Sequence, residues 1–584
     1  MIRFKLKAAV ENAVEKAIAA GQLGELKDAP AAVVIEKPRL PEHGDFACGV
    51  ALKMASAARM SPIKIAEAIL DRIEVPARCV ARMEVAQPGF INFRLSVGWL
   101  EEALREIHQA GADFGRSSSG RGQRVLIEYV SANPTGDLHI GHGRGAVYGS
   151  CLANLLKFAG YAVEQEFYLN DTGEQMLTFG RCAWAAYQRR LGKRVDYPED
   201  GYPEDSLARF IEAVVAREKD RWLSLPAEEG QRKLGELTRD TIIEWQKELL
   251  ARLHIEFDRW YSELSLHERG AVEAVLQRFA ESGMSYEAEG ALWLKARQLG
   301  DERDRVLRKS GGATTYLAAD AAYHLDKYER GYDHLITIWG ADHHGQVPGL
   351  KASVQALGKD PARLEVILTQ IVNLQREGQM VRMSKRRGTV VTLAEVMDEV
   401  GVDAVRYYLA ESNPQNPINF DLELAKQTSR ENPAFYIQYA HARCCAILRR
   451  ALEPRVNSDT GAEEPPTVSQ AEWRQWCDLY KSSTEVFAPI FEEDPEIFAH
   501  QKNLIMRLQD LPEEVEEAAA TRSPGRLARY AFDVANDLQK FYEVCRVITA
   551  DAAVTRARLG LIVATRQVLA NVLGIIGVTA PERM

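Results

Sequence analysis

Two histidines three residues apart open a helical pattern directly after a strand-like run, in the segment His139-Ile140-Gly141-His142. The amino terminus of a helix offers free amide N–H groups and a partial positive charge, which suits a bound phosphate. Both imidazoles face one side and could donate hydrogen bonds to phosphate oxygens. Gly141 and Gly143 carry no side chain, so a flat base could lie against the backbone. A His-x-x-His metal pair, or two histidines satisfied by neighbouring carbonyls, would have the same spacing.

A second polar segment, from Gly378 to Gly388, contains four basic side chains within six residues. Such a segment is usually a solvated surface or a patch for phosphate or RNA. Its flanking glycines suit a mobile lid, and the ammonium of Lys385 could meet phosphate oxygens as negative charge builds on departing pyrophosphate. Together the two segments predict a nucleotide site that supplies alignment and positive charge and needs no nucleophile from the protein.

The elements that must position these residues alternate between strand and helix. Strand-like runs at 125–130, 167–169 and 335–339 are separated by helical patterns, and this order predicts a parallel sheet. The predicted fold class is therefore multi-domain α/β. It combines a Rossmann-type nucleotide-binding domain that carries a helical insertion, a small N-terminal α/β domain and a C-terminal all-α bundle.

The length of 584 residues implies several domains, since one core rarely serves more than about 250–300 residues. We expect an N-terminal α/β domain at 1–118 and a catalytic domain at 119–394 with its insertion at about 187–297. A connecting helical segment at 395–430 and a helical domain at 431–584 follow. After about residue 394 the pattern is wholly helical.

Composition narrows the class of protein. A net charge of −10 argues against a uniformly basic nucleic-acid coat, so any RNA contact must use local basic patches. The eight cysteines show no Cys-x-x-Cys spacing and are expected to be reduced thiols. The N-terminus lacks an apolar signal core, and no stretch approaches the ~18 apolar residues of a membrane span. We expect a cytoplasmic enzyme.

Long segments around both motifs resemble the arginyl-tRNA synthetases, a family of class I aminoacyl-tRNA synthetases. The matching segments cover much of the chain: IEYVSANPTGDLHIGHGRGA from Ile127, FYLNDTGEQ from Phe167, VLRKSGGATTYLAADAAYHLDKYERGYDHL from Val306, IWGADHHGQVP from Ile338 and RENPAFYIQYAHAR from Arg430. The resemblance implies ATP-dependent activation of L-arginine to arginyl-adenylate and transfer to the 3′-terminal adenosine of tRNA(Arg). It also implies an N-terminal tRNA-binding domain and a C-terminal anticodon-binding domain.

The resemblance assigns catalysis to His139, His142 and Lys385, the last within a loop similar to the KMSKS lid. The residues that it implies for ATP are Ala132, Asn133, Pro134, Thr135, Gly136, Leu138, His139, Gly141, His142, Gly340, Asp342, His343, Met383, Ser384 and Lys385. Mg2+ is expected to arrive on the ATP, because the sequence shows no dedicated metal cage.

For arginine the resemblance points to Glu128, Asn133, His142, Tyr316, Asp320 and His344. A guanidinium cannot lose its proton and is best held by carboxylates, which fits Glu128 and Asp320. The residues alone also allow a strand carboxylate paired with a core arginine for Glu128, and an ordinary helix face for Tyr316 and Asp320. A His-His-Asp metal site at 342–344 is a further alternative.

For tRNA we single out Tyr436, Tyr439 and His441 as possible stacking partners for anticodon bases, and Arg522, Arg526 and Arg529 as a basic face at helical spacing. A bundle core and a solvated helix face, respectively, would produce the same patterns. The expected partners are tRNA(Arg) and L-arginine. We expect no DNA, no membrane and a monomer.

Overall fold

The computed structural model describes residues 2–24, 26, 32–381, 391–456 and 463–584. The predicted lid residues Met383, Ser384 and Lys385 lie outside the described residues.

The N-terminal unit is a four-stranded antiparallel sheet with helices against it. Its elements are α1 (Ile2–Ala19), β1 (Ile35–Glu36), β2 (Phe46–Cys48), α2 (Val50–Ala58), α3 (Pro62–Leu70), β3 (Val80–Ala86), β4 (Phe90–Leu95) and α4 (Val97–Ala110), and the strand order is β1-β2-β4-β3. Helix α3 begins as its sequence predicts, because Ser61 Oγ accepts the backbone N–H of Lys64 and Pro62 occupies the first helical position.

Helix α4 packs against the C-terminal bundle rather than only against its own sheet. His108 on this helix is bonded to the carbonyl of Gly560 at 3.0 Å, and its burial lowers its pKa to about 4. Gly111 and Phe114 follow α4 directly, and their carbonyl oxygens accept hydrogen bonds from the side chain of Asn571 in the bundle, both at 3.0 Å. The first and last domains therefore share one interface.

The catalytic sheet has five parallel strands. They are β5 (Arg124–Glu128), β6 (Ala162–Leu169), β7 (Arg259–Ser262), β11 (His334–Gly340) and β12 (Leu364–Thr369), in the order β12-β11-β5-β6-β7. Helix α5 (Ile140–Phe158) crosses from β5 to β6, so the predicted strand–helix–strand unit is confirmed. Strand β7 was not predicted and lies within 187–297, so that stretch is not a helical insertion throughout.

The chain between β6 and β12 also contains helices and three strands that lie outside the five-stranded sheet. They are α6 (Glu174–Arg190), α7 (Glu204–Glu218), α8 (Ala227–Arg252), α9 (Glu263–Glu268), α10 (Ala271–Glu281), β8 (Ser285–Ala288), β9 (Ala291–Leu294), β10 (Arg305–Arg308), α11 (Tyr316–Glu329) and α12 (Val347–Ala356). Strands β8, β9 and β10 form a separate antiparallel sheet. Helices α6 and α8 touch at two glycines, and a Cβ on Gly235 would lie 3.0 Å from the Cα of Gly180.

A small mixed sheet follows the catalytic sheet and precedes the helical bundle. Its elements and their neighbours are β13 (Val372–Arg376), β14 (Gln379–Met380), α13 (Leu393–Val400), α14 (Val402–Glu411), β15 (Ile418–Asp421) and α15 (Leu422–Lys426), and the strand order is β14-β13-β15. The prediction of a wholly helical chain after residue 394 is therefore wrong in detail. Strand β15 pairs with a distant strand that periodicity could not identify.

The C-terminal bundle packs around its last helix. Its elements are α16 (Pro433–Leu452), β16 (Arg455–Val456), β17 (Glu463–Glu464), α17 (Gln470–Ser482), α18 (Pro495–Gln509), α19 (Leu511–Ala520), α20 (Gly525–Val544) and α21 (Ala552–Ile576). Within the described ranges, α21 alone is long and apolar enough to cross a membrane, but 72% of its most apolar window is buried by the protein. Its apolar character is explained by its central place in the bundle.

A buried arginine ties the catalytic domain to this bundle. The guanidinium of Arg406, on α14, donates to the carbonyls of Leu253 at 2.6 Å and Ile576 at 3.0 Å and to Ser150 Oγ at 3.2 Å. Its charge is thus spread over neutral oxygen acceptors from three parts of the chain, which compensates for the loss of water around a buried cation.

Candidate active site

A cavity of about 770 Å³ opens at the carboxyl ends of the parallel strands. Segments that follow β5, β6, β7, β11 and β12 all contribute to its wall, which is the usual position of a ligand site on an open α/β sheet. The predicted residues that line it are Glu128, Ala132, Asn133, His139, Gly141, His142, Tyr316, Asp320, Gly340, Asp342 and His343. Most of the predicted site, distributed over more than 200 residues of sequence, is thus brought together.

Five predicted residues within the described ranges do not line this cavity: Pro134, Thr135, Gly136, Leu138 and His344. Leu138 is buried, and its carbonyl accepts the N–H of Leu393. The carbonyl of Gly136 accepts a hydrogen bond from the side chain of Gln246. Nδ1 of His344 is hydrogen-bonded to the carbonyl of Ala341. These five residues thus lie outside the cavity wall, and their contact with ATP or arginine stays a prediction.

The two motif histidines cap helix α5. The backbone N–H of Gly141 donates to Nδ1 of His139 at 3.1 Å, and the N–H of His139 donates to Nδ1 of His142 at 3.2 Å. Their rings stack with centroids 3.8 Å apart. A neutral imidazole that accepts at Nδ1 carries its proton on Nε2, so the caps fix both tautomers. The alternative of histidines satisfied by neighbouring carbonyls does not describe these Nδ1 atoms, which accept backbone N–H groups, and each ring then carries its N–H donor on Nε2.

Gly143 lies close to the first residue of helix α13. A Cβ at this position would lie 2.7 Å from Cδ1 of Leu393. A side chain at position 143 would force the buried side chain of Leu393 to shift, because α5 and α13 approach closely. Gly143 does not line the cavity, and its contact with a base stays a prediction.

Glu128 is paired before any ligand arrives. Its Oε2 accepts from Nζ of Lys327 at 2.6 Å and from Thr337 Oγ1 at 3.3 Å, and its Oε1 accepts from Ser131 Oγ at 2.9 Å. The alternative of a strand carboxylate paired with a core arginine is correct about the ion pair and wrong about the cation, which is Lys327. Glu128 nevertheless lines the cavity, so it forms part of the wall as a neutralised pair.

Asp320, in contrast to Glu128, has a carboxyl group that is costly to ionise. Burial, and then the charges of Glu128 and Glu263, raise its pKa to about 8, while Lys327 acts in the other direction. Glu263 is also buried, and burial is the main cause that raises the pKa of its carboxyl. Two carboxyl groups that are costly to ionise thus lie near each other in the cavity wall. A bound cation would relieve that cost directly.

Sequence reasoning missed several cavity residues: Ser131, Tyr168, Asn170, Glu263 and Gln346. Glu263 belongs to the site only because β7 pairs with β6, and no local pattern signals that pairing. A signal was available for Tyr168 and Asn170, which lie at the carboxyl end of the predicted second strand.

At the end of β5, Val130 and Ser131 adopt φ values of 68° and 42°. A β-branched residue in this region is strained, which is a recurrent property of ligand-binding loops.

Arg144 supports the site from beneath. Its buried guanidinium donates to the carbonyls of Gln370 and Asn413, both at 2.8 Å, and of Asn416 at 2.6 Å. Burial lowers its pKa to about 10. Gln370 belongs to the cavity wall, so Arg144 connects the helix that starts at the histidines to the opposite side of the cavity.

The turn after β11 places Asp342 and His343 at the cavity mouth, where both side chains are largely exposed. The ring of His343 lies 5.8 Å from that of Trp339. Among the residues with described coordinates, no group of three His, Cys, Asp or Glu side chains is arranged to hold a metal ion. The turn therefore presents polar side chains at the open side of the cavity.

The predicted aromatic tRNA contacts separate into two environments. Tyr436 and His441 are buried in the bundle, and Nδ1 of His441 is bonded to the carbonyl of Pro581 at 2.9 Å. The stacking hypothesis is wrong for these two residues in this conformation, because helix α16 turns them into the core. Tyr439 is 39% exposed, and the guanidinium of Arg443 lies 4.7 Å from its ring centroid.

The predicted basic face is not a single face. Arg522 precedes helix α20, has φ 52°, and pairs with Glu365 of the catalytic domain at 3.1 Å. Arg526 pairs with Glu514 at 2.8 Å, whereas Arg529 is exposed. Two of the three arginines are therefore engaged in ion pairs, Arg522 between domains and Arg526 within the bundle.

The cavity wall combines a donor-rich helix terminus with a group of neighbouring carboxyl groups. It can align an anionic polyphosphate with a substrate that carries a cationic side chain. The five-stranded parallel sheet, the histidine pair that opens α5 and the helical bundle that follows define a class I aminoacyl-tRNA synthetase.

Family models match all three parts of the chain. The arginyl tRNA synthetase N-terminal domain matches residues 5–95, the class I (R) tRNA synthetase catalytic domain matches 106–430, and the DALR anticodon binding domain matches 437–584. The chain belongs to the arginyl-tRNA synthetase family, the ligases that join arginine to tRNA. The predicted family, enzyme class and fold class are confirmed.

Individual relatives agree with this assignment over their full length. The arginine–tRNA ligase of Heliobacterium modesticaldum is 43% identical over 100% of this chain and 99% of its own. That of Desulfitobacterium hafniense is 40% identical over 98% of each. The structure of Thermus thermophilus arginyl-tRNA synthetase matches with a TM-score of 0.73, covers 100% of both chains at 22% identity, and supports the fold.

Proposed function

We propose that the 770 Å³ cavity activates L-arginine with ATP and then transfers the arginyl group to the 3′-terminal adenosine of tRNA(Arg). The observation that carries this proposal is the polarity of one cavity. Asp320 and Glu263 lie near each other in the wall and suit a guanidinium, and the capped helix terminus with His139 and His142, in the same wall, suits phosphates. We assign Asn133, which also lines the cavity, to the α-amino or carboxylate group.

In the first step, the arginine carboxylate attacks the α-phosphorus of ATP. A P–O bond to the carboxylate forms, the bond to the bridging oxygen breaks, and pyrophosphate leaves with the electron pair. We assign to His139 and His142 the donation of Nε2–H bonds to phosphate oxygens, because their Nδ1 atoms already accept backbone N–H groups. The sequence assigns the same task to Lys385, together with Met383 and Ser384 of the lid.

In the second step, a ribose hydroxyl of the terminal adenosine attacks the carbonyl carbon of the adenylate. The ester bond forms and AMP leaves as the mixed anhydride breaks. We assign the ribose of the bound nucleotide to the exposed side chains of Asp342 and His343 at the mouth, because both carry polar groups that can pair with hydroxyls. Mg2+ is proposed to enter with ATP, held by the nucleotide oxygens, and no step is assigned to a metal held by the protein.

We further propose that the protein acts as a monomer in the cytoplasm, with tRNA(Arg) as its nucleic-acid partner. Contact with the anticodon region is assigned to exposed groups of the bundle, Tyr439 and Arg529. Tyr436 and His441, which are buried, are removed from that assignment.

The direct test is aminoacylation of tRNA(Arg) with arginine, ATP and Mg2+, compared with the uncharged isostere citrulline. Arginine should be charged, and citrulline should be rejected by about 10⁴-fold or more in kcat/KM, since a neutral group leaves the buried carboxyl groups without a partner. Failure to form arginyl-tRNA, or equal charging of citrulline, would overturn the proposal.

A further inference from the structure

A second, smaller cavity of about 170 Å³ adjoins the active site next to the carboxyl group of Asp320. Tyr316, Asp320 and Gln346 line both cavities and so form the partition between them. A guanidinium paired with Asp320 would have its terminal nitrogens at this partition. The small cavity is therefore the space that a group attached to such a nitrogen would enter.

The remaining wall of the small cavity offers carbon atoms. Val306 on β10, Leu317 on α11 and Leu350 on α12 contribute apolar side chains. The hydroxyl of Thr315, which also lines the cavity, donates to the carbonyl of Val306 at 2.7 Å. A small alkyl group would thus meet apolar surroundings, and its burial there would stabilise the complex.

Arg305, the one cation among the described residues of this wall, is already neutralised. It donates to Asp301 through Nε at 2.7 Å and through a terminal nitrogen at 3.0 Å, and also to the carbonyl of Gly345 at 2.9 Å. It therefore neither repels a nearby guanidinium strongly nor requires an anion in the cavity. The charge that remains for a ligand is that of Asp320.

Glycine keeps one side of the small cavity open. A Cβ on Gly349 would lie 3.2 Å from Nε of Arg305 and 3.4 Å from Oδ2 of Asp301. Since that ion pair holds both side chains in place, any larger residue at 349 would crowd the pair and narrow the cavity.

We propose that the small cavity receives a short alkyl group on a terminal guanidino nitrogen, so that the enzyme charges tRNA with Nω-alkylated arginine as well as with arginine. This inference rests on the proposed function of the main cavity. A monomethylated guanidinium keeps its charge and four of its five N–H donors, so its pairing with Asp320 and Glu263 is retained. A volume of about 170 Å³ exceeds that of a methyl group several-fold, since one water occupies about 30 Å³.

The test is aminoacylation of tRNA(Arg) with three substrates: arginine, Nω-monomethyl-L-arginine and its isomer methylated on the internal δ nitrogen. The Nω isomer should be charged with a kcat/KM within about tenfold of that for arginine, and the δ isomer should lose about 100-fold or more. The two isomers have the same charge, mass and number of N–H donors. Only the position of the methyl group differs.

A variant that fills the small cavity tests whether the methyl group binds there. Val306→Phe should lower kcat/KM for the Nω isomer by about tenfold or more relative to arginine, and Val97→Phe, the same change at an exposed site on α4, should leave the ratio unchanged. If Val306→Phe does not charge arginine, Gly349→Ala provides a smaller filling change.

The outcomes separate the two proposals. Absence of charging with arginine itself would refute the proposed function. Charging with arginine, together with equal rejection of both isomers or an equal loss for all substrates in Val306→Phe and Gly349→Ala, would overturn the inference alone.

Discussion

Lys327 donates a hydrogen bond to Glu128 across 2.6 Å, and both side chains are almost completely buried. The pair closes a contact between helix α11 and strand β5 that spans 199 residues of sequence. Because Glu128 is neutralised internally, we infer that the charge of a bound guanidinium is balanced mainly by Asp320 and Glu263. The contact thus separates Glu128, which is paired within the protein, from the two carboxyl groups to which we assign the guanidinium.

Asp320→Asn should raise KM for arginine by about 30- to 5,000-fold, since loss of one partner from a buried charge pair costs about 2–5 kcal/mol. The KM for ATP should change little. Steady-state aminoacylation kinetics measure both. The matched control is Asp326→Asn on the same helix, where the carboxylate pairs with Arg269 and Arg330 instead. Similar arginine KM values for the two variants would contradict the role of Asp320.

Arginine binding should strengthen as the pH rises through about 8. The pKa of Asp320 in the free cavity is raised to about 8, so below that pH the carboxyl group is mostly protonated and neutral. A guanidinium binds the ionised form, so binding releases a proton at lower pH and KM for arginine rises by up to about tenfold for each pH unit below 8. Calorimetry in buffers of different ionisation enthalpy counts the protons. A pH-independent KM, or an unchanged pH profile in Asp320→Asn, would contradict this prediction.

Glu128→Gln and Lys327→Met should each destabilise the protein by about 3–5 kcal/mol, because each leaves one buried charge without its partner. The double variant should lose clearly less than the sum of the two. Thermal unfolding of the four proteins gives this double-mutant cycle. Additive losses would show that the two side chains are not coupled.

His139→Asn should lower the rate of arginine activation by about 100-fold while the helix stays intact. Asparagine is a strong helix-capping residue whose side-chain oxygen replaces the Nδ1 acceptor, but it lacks a donor at the position of Nε2. Pyrophosphate exchange, measured in the presence of tRNA, gives the rate, and thermal unfolding should show an unchanged transition. An unchanged rate would restrict His139 to capping.

Tyr439→Ala should raise KM for tRNA by about 5- to 100-fold, since stacking on an exposed aromatic ring is worth about 1–3 kcal/mol per base. KM for arginine should stay the same. Tyr436→Phe, which removes only the hydroxyl of a buried ring, is the control and should leave tRNA binding unchanged. If Tyr436→Phe weakens tRNA binding as much as Tyr439→Ala, the division between core and surface aromatics is wrong.

The sequence by itself determined the features that depend on neighbours along the chain. The strand before His139, the helix after it and the Ser61-Pro62 cap follow from local propensity and from groups a few residues apart. Long matching segments also identified the family and 11 of the 25 residues that line the cavity, among them those at the start of α5 and in the turn after β11.

Only the tertiary structure decided which candidates have free charge or free surface. The pairing of β7 with β6 brings Glu263 into the cavity, and the packing of α11 against β5 gives Glu128 its lysine. The rotation of α16 in the bundle buries Tyr436 and exposes Tyr439, three residues away. Each outcome depends on contacts between segments far apart in sequence, and the burial and pairing that they create set the pKa and accessibility of each side chain.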